Sequence, residues 1–332
     1  MSQAEATTRD TTEARPRTMA AKIGSVMQSQ GALVMLVVVC LMATLRYEAF
    51  LTSENLLNVL RQNSMVGLIA LGMTFVILTG GIDLSVGSLL ALAGVVAAYL
   101  VPYGVFVAVL GAVAATTLLG LVNGVIIAKA KIPPFIVTLG MMIAARGLVL
   151  AITDEKSVRI ERTFADFIYW GRGLIGDFLP VPVLILLLAF AVGWVVLNYT
   201  RFGRHVYALG DNDEAARLLG LNISRTTIGV YAISGALAGL AGVILAARLG
   251  AGNSVEGAGV ELGAIAAVVV GGTLLTGGQG NVLSTLVGVL LLGVIFNLFN
   301  LEGQISPWWQ PVLRGVILLV VVVIQNRLTK LK

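Results

Sequence analysis

The stretch MVGLIALGMTFVILTGGIDLSVGSLLALAGVVAAYLV, residues 65–101, contains a single acid, Asp83, and no base. An apolar run crossing a bilayer as a helix needs about 20 residues, and this stretch offers nearly two such lengths. GGIDLS at 80–85 divides it, because paired glycines and an Asp-x-Ser sequence favour a reversal over a continuous helix. The reading is therefore two membrane spans, 56–79 and 86–101, separated by a short break.

The rest of the chain has the same character. Of 332 residues, 58% are hydrophobic and 12% charged, with a mean hydropathy of +0.95. A soluble domain carries about 25% charged residues, so this chain cannot cover a soluble surface, and disordered chains are far more polar. Further spans are expected at 31–45, 105–128, 135–152, 181–199, 227–247, 282–298 and 312–324, with 262–270 long enough only for half a span. The fold class is thus all-α and polytopic, with about ten transmembrane helices. Residues 1–30 form a flexible cytoplasmic tail in this reading, 31–326 the transmembrane domain and 327–332 a short cytoplasmic tail. The tail lacks the compact basic–apolar–small layout of a cleaved signal peptide.

Orientation follows from the 22 Lys and Arg residues. With the N terminus inside, thirteen fall on cytoplasmic segments and six outside; Arg61, Arg146 and Arg314 lie within spans. That excess places both termini in the cytoplasm. It also accounts for the net charge of +5 and the pI near 9.5 without a nucleic-acid partner. One Cys, Cys40, and one His, His205, exclude an intrachain disulfide and a Cys metal cluster, and argue against a His-based metal site or a Ser/His/Asp triad. No metal, cofactor or catalytic residue is expected.

The charged loop 200–225 contains Asp211 to Glu214, acids placed where a helix start favours them, then an amphipathic turn over 215–219. Gly220 ends it, in a position that tolerates left-handed backbone. Such a helix on the cytoplasmic face is either an ordinary connector or a docking knob for a soluble partner. In the break at 80–85, Asp83 and Ser85 precede the apolar run, and both residue types cap helix starts. An intramembrane carboxylate is also a functional candidate, so contact with a ligand is the competing role. A second glycine-rich break, GGTLLTGGQG at 271–280, follows the half-span. Its LTGGQ resembles an ATPase signature peptide, yet the chain contains no G-x4-G-K-[ST] phosphate loop. Paired broken helices point to a transport path, and GGIDLSVG and GGTLLTGG occupy corresponding places in two pseudo-repeated halves in this reading. Gly120-x3-Gly124 and Gly235-x3-Gly239 are small-residue pairs that allow close helix contact, within the subunit or at a dimer seam. The aromatic residues Phe164, Phe167, Tyr169 and Trp170 in the loop 153–179 fit an interfacial belt, or a partly helical external lip. Arg146, Arg248, Glu256 and Glu261 are either rim charges or buried pairs.

The spacing Glu214-Ala215-Ala216-x3-Gly220 resembles the cytoplasmic coupling loop of ABC importer permeases. LTGGIDLSVGSLLALAG at 78–94, FGRHVYALGDNDEAARLLGLN at 202–222 and ELGAIAAVVVGGTLLTGGQG at 261–280 resemble the ribose/xylose/galactofuranose branch of that family. The blocks fall in order, and the resemblance spans roughly residues 30–325. It implies a permease subunit in the bacterial inner membrane that performs no chemistry of its own. Implied partners are an ABC ATP-binding subunit with two nucleotide-binding domains, a periplasmic sugar-binding protein, and a second copy or a homologous permease. Glu214, Ala215, Ala216 and Gly220 are then the surface that couples to the ATP-binding subunit. The residues nominated for the translocation path are Gly80, Gly81, Asp83, Ser85, Gly271, Gly272, Thr273, Gly277 and Gly278. The competing functions are an ion-coupled secondary transporter, disfavoured because intramembrane acids are so few, and an ABC permease of the branched-chain amino-acid type, for which Arg146 or Arg314 would meet the substrate carboxylate.

Overall fold

The computed structural model describes residues 19–303, 306 and 308–329. Its elements are helical apart from two-residue strands and a short 3-10 turn. Residues 1–18 of the expected tail lie outside the described part, and α1 (Met19–Arg46) begins ahead of the expected first span. Then come α2 (Ser53–Leu78), α3 (Val86–Leu100), α4 (Val105–Ala130) and α5 (Pro134–Thr153). The segment after α5 holds β1 (Val158–Arg159), α6 (Ala165–Arg172), β2 (Leu174–Ile175) and β3 (Leu179–Pro180). It leads to α7 (Val181–Tyr199), α8 (Arg201–Asp211), α9 (Asp213–Leu218) and α10 (Ile223–Leu249). The chain ends with β4 (Ala251–Gly252), α11 (Val260–Val270), α12 (Val282–Glu302) and α13 (Trp309–Thr329).

Seven helices among the described residues are long and apolar enough to cross a membrane, the second being α3 with its 3-10 extension to Tyr103; three shorter apolar helical stretches lie at Gln30–Arg46, Val260–Val270 and Trp309–Gln325. In lipid each must satisfy its own backbone, which a helix does internally. At 1.5 Å per residue, α2 spans about 39 Å while the eleven residues of α11 span only about 16 Å, half a hydrocarbon core.

The core is built around α10, whose broadest contacts are with α4, α3 and α2. The two small-residue motifs face each other across the α4–α10 crossing: a Cβ on Gly120 would collide with the Tyr231 carbonyl, and one on Gly235 with the Thr116 carbonyl. The motifs therefore serve packing inside the subunit. By contrast, 78% of the most apolar stretch of α2 is buried and only 17% of that of α5.

The order α2, break, α3, turn, α4, α5 recurs as α10, break, α11, turn, α12, α13. Gly72 and Gly81 of the first half lie against Ser234 and Tyr231, so α2 and α10 run antiparallel. This order corrects one expectation. The counterpart of the break at 79–85 is 250–259, which also leads into a short helix; the stretch 271–281 corresponds to the turn 101–104. Glycine richness suggested the other pairing, but chain order decides it.

Past Gly250 the chain turns back beside α3. Gly252 packs on Gly94, and Gly257 packs on Gly87 in the first turn of α3. The short helices α3 and α11 thus start back to back and run in opposite directions. Val158 pairs with Gly252 in the β1–β4 ladder. Phe167 is fully buried in a cluster with Ala97, Val243 and Ala247. That residue is core rather than belt, because α6 packs across α10.

Candidate functional site

The loop read as 200–225 is mostly helical. The Thr200 hydroxyl accepts the Gly203 N–H at 3.2 Å and starts α8, a helix not expected from the sequence. Asn212 then caps α9 by accepting the Ala215 N–H at 2.9 Å, with Asp213 and Glu214 in the first turn. The helix stops at Gly220, whose φ of 77° a residue with a side chain resists. Ala216 is buried, whereas Glu214, Ala215 and Gly220 are exposed. Two residues the spacing did not single out, Leu218 and Leu219, are 89% and 78% exposed and form an apolar knob.

The C-terminal end of α8 is fastened to both glycine-rich segments. The Gly278 N–H donates to the Leu78 carbonyl at 3.0 Å. A Cβ on Gly277 would stand 2.9 Å from both the Gly210 oxygen and the Gly80 nitrogen, and one on Gly210 would collide with the Leu78 carbonyl. Three glycines therefore meet main chain to main chain. The Tyr207 hydroxyl adds a bond to the Gly280 carbonyl at 2.9 Å, and burial pushes its phenol pKa up.

Beside this junction lies a cavity of about 610 Å³. Its walls bring Gly80 and Gly81, nominated for the path, together with Glu214, nominated for coupling. Thr79, Thr227 and Thr276 supply hydroxyls, and Asp211 and Asp213 line it as well. Tyr231 reaches it from α10, nearly fully buried, with a hydroxyl that has no hydrogen-bond partner among the described residues.

The other nominated path residues sit differently. Asp83 is 0% exposed. Its Oδ1 accepts the Ser85 N–H at 3.0 Å and the Ser85 hydroxyl at 2.6 Å, and its Oδ2 accepts the Ser234 hydroxyl at 2.8 Å. Asn123 donates to the Ser85 hydroxyl at 3.1 Å, tying α4 into the network. Asp83 therefore closes the turn into α3 and joins it to α10, with no face toward the cavity. Gly271 is buried against Ser284 of α12, and Gly272 is exposed. Thr273 is buried under Gly280, its carbonyl accepting from Gln325 of α13 at 3.2 Å. Among the described residues no cluster of His, Cys, Asp and Glu could hold a metal ion.

An all-helical chain with seven membrane-length helices, discontinuous helices between them and a polar cavity at one end is a multi-pass membrane transport protein. The chain belongs to the family described as branched-chain amino acid transport system, permease component, which matches residues 55–322. It is 44% identical to the ribose import permease protein of Escherichia coli K12 over 91% of this chain and 94% of that one. The ribose import permease protein of Bacillus subtilis 168 is 42% identical over the same shares. The D-allose transport system permease protein of Escherichia coli K12 is 37% identical over 90% of this chain and 91% of that one. No solved structure matches the chain.

Proposed function

We propose that this chain is the membrane-spanning subunit of an ATP-driven importer that carries a monosaccharide into a bacterial cell across the inner membrane. The observation that carries the reading is the junction of α8 with both glycine-rich segments, beside a cavity that Glu214 shares with Gly80 and Gly81. A partner seated at Glu214, Ala215 and Gly220, with the Leu218–Leu219 knob and with Ala216 anchoring α9 from beneath, acts directly on the inner end of the path. That partner is an ABC ATP-binding subunit with two nucleotide-binding domains. A second copy or a homologous permease completes the path, and a periplasmic binding protein delivers sugar to the segment around α6. Ten crossings, counting α11 as half a span, with both termini cytoplasmic, agree with the Lys and Arg distribution. ATP drives import by favouring one of two openings, since a ligand shifts only states it binds unequally.

The sugar assignment rests on the ribose and allose named for the relatives, set against the amino acid in the family description. The test is purification from the native membrane in mild detergent, then reconstitution with the co-purified ATP-binding subunit and binding protein. ATP-dependent uptake of labelled ribose, not competed by leucine, is the expected result. A homo-oligomer with no ATP-binding subunit, taking up solute on an ion gradient, identifies a secondary transporter instead.

A further inference from the structure

Among the charged side chains within membrane helices that play no part in the cytoplasmic site are Arg146 on α5, Glu261 in the first turn of α11 and Arg314 on α13. Arg314 packs against Gly263, two residues beyond Glu261, and Arg146 binds the carbonyls of 254 and 256 just ahead of α11, which gathers the three about the start of that helix. All are partly exposed. The ion pairs among the described residues are Arg46–Glu302 and Lys156–Asp154, so these three approach one another without closing a salt bridge.

Their bonding capacity is only partly used. Arg146 Nη1 donates to the Ser254 and Glu256 carbonyls at 2.6 and 2.7 Å and pins the segment that descends to α11. Glu261 Oε1 accepts the Gly259 N–H at 3.1 Å, and Oε2 packs against Gly87 in the first turn of α3. Arg314 stacks its guanidinium 4.8 Å from the Phe296 ring centroid. Its buried Nε has no hydrogen-bond partner among the described residues, and it borders a cavity of about 40 Å³ shared with Asn63.

A charged side chain facing hydrocarbon is costly, and such groups in membrane proteins face the bundle interior or water. Here one subunit leaves three of them partly uncovered, so this side is not a lipid face. We propose that Arg146, Glu261 and Arg314 line the water-filled path at mid-depth, and that Glu261 and Arg314 hydrogen-bond the passing sugar. A hydroxyl both donates and accepts, so a neutral polyol can bridge a partly exposed carboxylate and a partly exposed guanidinium. Arg146 acts as a positioning residue, holding the segment from which α11 starts. The proposal rests on the importer reading above and adds where the solute is met.

The experiment exploits the single cysteine. In a Cys40→Ala background, Glu261→Cys is reconstituted with its partners and treated with a charged, water-soluble thiol reagent, alongside Leu188→Cys on the exposed apolar face of α7. Reaction at position 261 about tenfold faster than at 188 is expected, since only a wet site admits a charged reagent. In the native background, Glu261→Gln and Arg314→Gln should raise the KM for labelled ribose by about tenfold, with the maximal rate changing far less and the ATP-binding subunit still co-purifying. Arg314→Lys and Glu261→Asp should recover part of that loss. The proposal is overturned if position 261 reacts no faster than position 188 with or without ATP. It is equally overturned if both Gln variants keep the original KM, or if position 261 excludes the reagent and cross-links to the second permease chain. Failure of the importer reading looks different: the unsubstituted chain then brings down no ATP-binding subunit and takes up no ribose.

Discussion

Asp83 and Glu261 stand at the starts of two short helices, α3 and α11, which begin back to back. The positive ends of two helix dipoles meet there, and each receives a carboxylate. Asp83 is sealed, with three hydrogen bonds from Ser85 and Ser234. Glu261 accepts from the Gly259 N–H, rests its other oxygen on Gly87, takes no side-chain hydroxyl among the described residues, and stays partly exposed. The same electrostatic device therefore closes one break and leaves the other available. What distinguishes them is the supply of donors: α3 starts beside the hydroxyls of Ser85 and Ser234, whereas no side-chain hydroxyl among the described residues donates to Glu261 at the start of α11.

The largest expected effect tests the sealed side. Asp83→Ala orphans a buried N–H and two hydroxyls, each costing about 1–3 kcal/mol. The folded yield in detergent should collapse, whereas Glu261→Ala should shift stability by only about 0.5 kcal/mol, as for substitutions away from a sealed network. Equal losses in a thermal scan would erase the distinction. Asp83→Asn comes next. It keeps one acceptor and should retain a folded protein destabilised by roughly 1–2 kcal/mol. Further from the contrast, Glu214→Arg and Gly220→Val should lower ATP-driven uptake by about tenfold while the melting temperature of the membrane domain holds, because a left-handed valine costs only about 1–2 kcal/mol locally. Normal uptake with normal assembly in both variants would remove α9 from coupling.

The smallest effect concerns Tyr207. Its phenol is raised by burial, so the folded state holds its proton to higher pH than the unfolded state does. The stability this provides is present below about pH 10 and is lost as pH climbs through the folded value. Tyr207→Phe should cost about 1 kcal/mol at pH 8, from the lost bond to Gly280, with the gap to the unsubstituted protein narrowing above pH 10. A gap that widens there would contradict the assignment.

The spans were legible because lipid imposes a composition on them, and the short length of α11 was visible for the same reason. The capped turn over Asp213 to Leu218 was legible because acids before an alanine pair and a following glycine are local signals. The helix α8 was not seen, although Phe202, Val206 and Leu209 recur at helical spacing; its charges drew the reading toward a loop. Nor could chain order alone show that Gly210 meets Gly80 and Gly277, or that Tyr231 borders the cavity. Those contacts join segments far apart in sequence, and period and composition carry no record of them. The role of Asp83 stayed open for a similar reason: capping and ligand contact use the same residue type, and only the position of Ser234 on a distant helix separates them.

The three-glycine junction bears on how the protein can vary. A seam made of main chain alone offers no side chain to exchange, so drift in sequence cannot loosen or retune it by small steps. It fixes the end of α8 against both glycine-rich segments, while the exposed leucines beyond it and the cavity lining beside it can each vary without moving that seam.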